Sequence, residues 1–135
     1  MRTLALVISL FSALELIAQS PNNIGADNSP FLNGDEIKLL NFLLEEQRDT
    51  FEFANKKVAF VTGSSGSMIV RKSEYFKKSV VPWIERDSRP QISIILLSEE
   101  EKIKSNGYDV LVLSWVKLFT DRRKRKTIEQ LAAIN

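Results

Sequence analysis

Three short apolar runs alternate with helix-patterned segments, and this alternation narrows the fold more than any other feature of the chain. The runs are "VAFVT" at 58–62, "QISIILL" at 91–97 and "DVLVLSWV" at 109–116. They are rich in β-branched residues and apolar at odd and even positions alike, as strands covered on both faces must be. A helix pattern precedes the first run. In "NGDEIKLLNFLLEEQRD", Asn33 and Glu36 form a capping box, and Ile37, Leu40, Leu43 and Leu44 recur at helical spacing. Further helix patterns follow each run. "SEYFKKSVVPWIERD" contains Pro82, which should kink it or start a second short helix. "SEEEKIKSNG" has a capping box at Ser98 and Glu101 with Gly107 at its end, and "DRRKRKTIEQLAAI" closes the chain.

The order is therefore helix, then strand and helix three times. It predicts a small α/β three-layer sandwich around a mainly parallel sheet, with right-handed crossovers and Rossmann- or flavodoxin-like connectivity. The sheet has three strands, or four if "FEF" at 51–53 adds an edge, and the first helix is an N-terminal addition.

A chain of 135 residues holds one domain of this size, and its 44% apolar content supplies the core without cross-links. The first residues read differently. "MRTLALVISLFSALELIAQS" has one Arg, an apolar stretch from Leu4 to Leu14 and a small residue at Ala18, the layout of a secretory signal peptide. The stretch falls short of the about 20 apolar residues that span a bilayer. An apolar helix of a cytosolic protein is the competing reading. The expected division is a signal peptide over 1–18, a flexible Asn/Ser/Pro/Gly linker over 19–32 and the α/β domain over 33–135. The expected location is periplasmic or secreted, with no transmembrane helix in the mature chain.

The chain has no Cys and no His, which removes disulfides, thiol chemistry, Cys/His zinc sites and His-dependent triads. No complete catalytic motif is present, no metal site is expected, and no cofactor is named by the sequence. The "EEE" at 99–101 does not converge, because consecutive helical residues point about 100° apart.

The first strand runs into "VTGSSGS". In a parallel sheet, ligands sit beyond the carboxyl ends of the strands, where following helices present free N–H groups. Candidate ligand-binding residues at that end are Thr62, Gly63, Ser64, Ser65, Gly66, Ser67, Ser98, Trp115, Arg122 and Arg123. The run resembles the TGxxG loop of the short-chain dehydrogenases, and that resemblance implies a nucleotide cofactor at the loop. Met68 and Ile69 stand where the dinucleotide fingerprint has its third glycine, and Tyr75 with Lys78 gives Y-x-x-K where the family has Y-x-x-x-K. The alternative is that Gly63 and Gly66 supply turn geometry alone.

Charge is uneven. Residues 71–135 hold 14 Lys and Arg against 9 Asp and Glu, whereas residues 19–70 hold 4 against 7. The run "RRKRK" at 122–126 concentrates this charge at a helix start. It attracts a small anionic ligand, an anionic lipid surface or an acidic protein partner, or it is solvated helix surface. No aromatics interleave with it, so nucleic acid is not favoured. The sequence thus points to an exported domain that binds an anionic or phosphate-bearing ligand. The alternatives are a cell-envelope interaction module using the basic helix, and a nucleotide-binding or hydrolytic enzyme with a degenerate Gly/Ser loop.

Overall fold

The structure is a computed structural model and describes residues 13–18, 22–45, 47, 51–63 and 68–134. The first helix, α1 (Gly34–Glu45), begins as its capping box dictates. The Glu36 N–H donates to Asn33 Oδ1 and the Asn33 N–H donates to Glu36 Oε1, both at 2.8 Å. Leu39, Leu40, Phe42, Leu43 and Leu44 turn to the core.

Glu36 is itself fully buried, which a cap does not require. Its Oε2 accepts the Gly25 N–H at 2.9 Å, and its Oε1 lies 3.1 Å from the Lys72 ammonium. Lys72 is also buried, and it donates to Asp27 Oδ1 at 2.9 Å and to the Phe31 carbonyl at 3.1 Å. Its hydrogen bond holds the Asp27 carboxyl below the usual carboxylate range, seconded by the Ser29 N–H. Residues 22–32, read from composition as part of a lead into the domain, thus carry Ile24 and Leu32 into the core. Gly25 stands at φ +65°, where a Cβ would meet the Ser73 carbonyl at 3.1 Å. Residues 13–18 are helical, and Ala13, Leu16 and Ile17 pack on the same core.

The sheet has four strands: β1 (Val58–Thr62), β2 (Met68–Val70), β3 (Ile92–Leu96) and β4 (Val110–Ser114), in the order β2-β1-β4-β3. Only β1 and β4 are parallel; β2 runs antiparallel to β1, and β3 antiparallel to β4. This overturns the mainly parallel sheet and its Rossmann- or flavodoxin-like connectivity. Two physical features account for the change. The Gly/Ser run is short enough for a hairpin, and "MIV" after it pairs straight back on β1, with Thr62 opposite Met68. The helix between β3 and β4, α4 (Glu99–Lys104), has six residues and returns the chain beside the strand it left. Residues 51–53 form no strand; Phe53 is a core side chain there.

Between β2 and β3 the chain forms α2 (Lys72–Tyr75), a π-helical turn at Phe76–Val80, and α3 (Val81–Glu85). Pro82 lies in the first turn of α3, and the widened turn before it absorbs the lost N–H and the crowded ring. The last helix is α5 (Asp121–Ala133). Helices cover both faces of the sheet. Val58, Phe60, Ile92, Val110 and Val112 meet α1, α2, the π turn and α3. Ala59, Val61, Leu111 and Leu113 meet Ile128 and Leu131 of α5. Every residue of β4 is buried, as its unbroken apolar run requires.

Candidate functional site

The register places the candidate residues at two ends of the sheet. Thr62 closes β1 and pairs with Ser114, the last residue of β4. Gly63, at φ 118°, and Trp115, at φ 63°, therefore leave neighbouring strands at one end. Ser64, Ser65, Gly66 and Ser67 lie outside the described residues. Their run leads into β2 and not into a helix, so no helix N-terminus follows it as the sequence reading supposed.

Ser98 is at the opposite end. Because β3 is antiparallel, its last residue, Leu96, pairs with Val110 at the start of β4, and Ser98 follows there. Its groups are engaged in the α4 cap: the Glu101 N–H donates to Ser98 Oγ at 3.2 Å, and the Ser98 N–H donates to Glu101 Oε1 at 2.8 Å. The Lys124 ammonium sits 2.8 Å from Glu101 Oε2 and, with the Ser98 N–H, holds that carboxyl below its usual range. Ser98, Glu101, Arg125 and Ile128 border an open groove of about 670 Å³ between α4 and α5.

Arg122 and Arg123 fall in the first turn of α5, which Thr120 caps by accepting the Arg123 N–H at 3.2 Å. The far end of α5 is fixed by Asn106, whose amide donates to the Leu131 and Ala132 carbonyls. Asn106 also accepts from Lys57, just before β1, so α5 starts at the Trp115 end of the sheet. The Arg123 guanidinium is turned back to the Leu118 carbonyl, and Arg122 is exposed. Thr62, Gly63, Trp115, Arg122 and Arg123 are thus brought to one end, and Ser98 is not.

Beneath this end lies a buried polar pair that the sequence did not single out. The Tyr75 hydroxyl and Ser114 Oγ are 2.7 Å apart, and both residues are fully buried. Burial pushes the Tyr75 phenol far above its ordinary range, opposed by the Ser114 hydrogen bond. The only sequence signal was a serine closing an apolar strand. Tyr75 stacks on Phe60, with ring centroids 4.2 Å apart, and meets Trp83 edge-on at 5.9 Å. Trp83 in turn meets Trp115 at 6.3 Å. A line of rings therefore runs from the core to Trp115, which is 49% exposed and presents its indole to solvent.

Among the described residues no cluster of acidic side chains could hold a metal ion, and no helix is long and apolar enough to cross a membrane. The arrangement offers an aromatic surface, a glycine turn and cationic side chains, a set suited to holding an anionic group with a flat or apolar portion. A family model described as a domain of unknown function (DUF8192) matches residues 28–133. No curated protein and no solved structure matches the chain.

Proposed function

The chain belongs to the DUF8192 family, and from the geometry of the site we propose that it is an exported, non-catalytic domain that binds an anionic or phosphate-bearing ligand. The ligand lies at the carboxyl ends of β1 and β4. The observation that carries this reading is Trp115. A bulky residue in the left-handed region costs about 1–2 kcal/mol, and such strain collects where a side chain is held for a purpose. Here it holds a half-exposed indole against Trp83, at the same end of the sheet as Gly63 and as the start of α5, whose Arg122 and Arg123 come from the other face. The indole stacks on the apolar part of the ligand, backbone N–H groups and serine hydroxyls of the 63–67 run bind its anionic part, and the arginines supply the field.

Thermal unfolding in the presence of phosphate, nucleotides, flavin mononucleotide and simple anions tests this. A ligand at 100 times its Kd adds about 2.7 kcal/mol to stability, and Trp115→Ala should remove most of that gain. No shift with any of these compounds would end the proposal.

Export is the second part of the reading, with cleavage after Ala18. The intact mass of the purified chain decides it, because a retained chain keeps its full 15.4 kDa. Retention would also preserve the packing of Ala13, Leu16 and Ile17 on the core, and it would overturn export.

A second reading rests on α5 itself. Lys124 is paired with Glu101 and Arg123 is turned to Leu118, whereas Arg122, Arg125 and Lys126 face outward and exposed. Such a surface suits an acidic protein partner in the cell envelope. Binding of that partner would weaken with salt and with reversal of those three charges, and would ignore Trp115→Ala.

A further inference from the structure

One edge of the sheet is left largely open by the described residues. At β2 the edge is three residues long, and beyond it the Val58 N–H of β1 is met by the Pro30 carbonyl. At β3 the situation differs. The Trp115 N–H donates to the Gln91 carbonyl and the Leu97 N–H to the Asp109 carbonyl, so the odd-numbered residues face β4. The even-numbered residues turn their backbone groups outward. Gln47 covers the start of that outward row: its Oε1 accepts the Ile92 N–H at 3.1 Å and its Nε2 donates to the Pro90 carbonyl at 2.9 Å. Past this point the N–H and C=O of Ile94 and of Leu96 have no partner among the described residues.

The usual protections of an edge are also missing. Residues 91–97 contain no charge and no proline, and the Leu96 side chain is 61% exposed. We propose that two copies of this chain pair antiparallel through β3, about a two-fold axis at Ile95, to form a continuous eight-stranded sheet. In this register Ile94 of each copy exchanges both backbone hydrogen bonds with Leu96 of the other. The four outward groups of Ile94 and Leu96 are then used, the Ile92 N–H that Gln47 occupies is not called upon, and of the outward row the Ile92 carbonyl alone is left over.

Charge is compatible with this orientation. Glu85, Arg86, Asp87 and Arg89 before β3 balance one another, whereas Glu99, Glu100 and Glu101 outnumber Lys102 and Lys104 after it. An antiparallel mate lays the acidic end over the neutral one, whereas a parallel mate would set the two acidic ends together. The side chains match as well: Ile94 meets Leu96 of the second copy on one face, and the two Ile95 residues meet on the other. This dimer is independent of any ligand at Trp115.

The register is tested by cross-linking, for which a chain without cysteine is convenient. Ile95 would face its own copy as a non-hydrogen-bonded pair, with Cα atoms about 4.5 Å apart, inside the range a disulfide bridges. In the full chain, Ile95→Cys should oxidise to a covalent dimer. Ser93→Cys should not, because its copy would lie about 13 Å away along the strands. Light scattering should give twice the monomer mass for the unaltered chain. Leu96→Lys, at an exposed position, should give a monomer with an unchanged circular dichroism spectrum. A monomeric unaltered chain, equal cross-linking at Ser93, or a Leu96→Lys dimer would each overturn the proposal.

Discussion

Replacing Lys72 by Met should lower the free energy of unfolding by about 3–5 kcal/mol, the cost of leaving one member of a buried ion pair alone. Lys72 and Glu36 are both buried, 3.1 Å apart, and the ammonium also holds Asp27 and the Phe31 carbonyl. Without the ammonium, the Glu36 carboxylate keeps only the N–H groups of Gly25 and Asn33 inside the core. Those contacts tie residues 22–33 to α1, so the loss should loosen both. Replacing Glu36 by Leu should also be costly, since it orphans the buried Gly25 N–H and leaves the Lys72 ammonium with Asp27 and the Phe31 carbonyl alone. The double variant should be less damaged than the sum of the single ones, with a coupling of about 0.5–3 kcal/mol. Urea titration of the four proteins reads all of this. A Lys72→Met loss below about 1 kcal/mol would mean that the ion pair does not hold the N-terminal segment in place.

Phe60→Ala should cost a similar amount, about 3–5 kcal/mol, for a different reason. Phe60 lies in the central strand β1, stacked on Tyr75 and met edge-on by Phe76 at 5.7 Å. Its removal leaves a cavity between the sheet and the helices, and it forfeits ring contacts worth about 0.5–1.5 kcal/mol beyond area burial. Phe60→Leu fills most of that space and should cost less than half as much. Denaturant unfolding of both variants checks the order. Equal losses would mean that the rings contribute volume alone.

The elements were more legible in the sequence than their arrangement. All three apolar runs are strands, and the capping boxes at Asn33 and Ser98 are formed as the residue types and spacing required. Local chemistry of that kind is decided within four residues. Strand direction is not, because it depends on whether a connection crosses a face or turns back. Nothing in "SEEEKIKSNG" distinguishes the two, and α4 turned out to be a return. That one reversal moved Ser98 to the wrong end of the sheet for the site assumed. Strand β2 was hidden by its length, since three residues carry no periodicity. Residues 22–32 were hidden by composition: Ile24 and Leu32 are two apolar residues in a polar stretch, and the buried ion pair that anchors it joins residues 36 apart in sequence, Glu36 and Lys72. Trp115 was legible as the last aromatic of its strand; its left-handed backbone was not.

The pairing of β1 with β4 has a kinetic consequence. The sheet consists of two antiparallel units, β1 with β2 and β3 with β4, each closed by a short connection. They meet along one parallel seam, flanked by the Lys57 N–H and the Asp109 carboxylate, which are 52 residues apart. The entropy of closing so long a loop falls on the seam, so the hairpins form early and their docking comes late in folding. Damage to a late contact shows in the rate of unfolding more than of folding. Stopped-flow traces of Phe60→Ala should accordingly show the unfolding limb raised and the refolding limb nearly unmoved. The long-lived hazard for this chain is then a half-assembled sheet, in which β4 has β3 at one side and an unfilled place at the other.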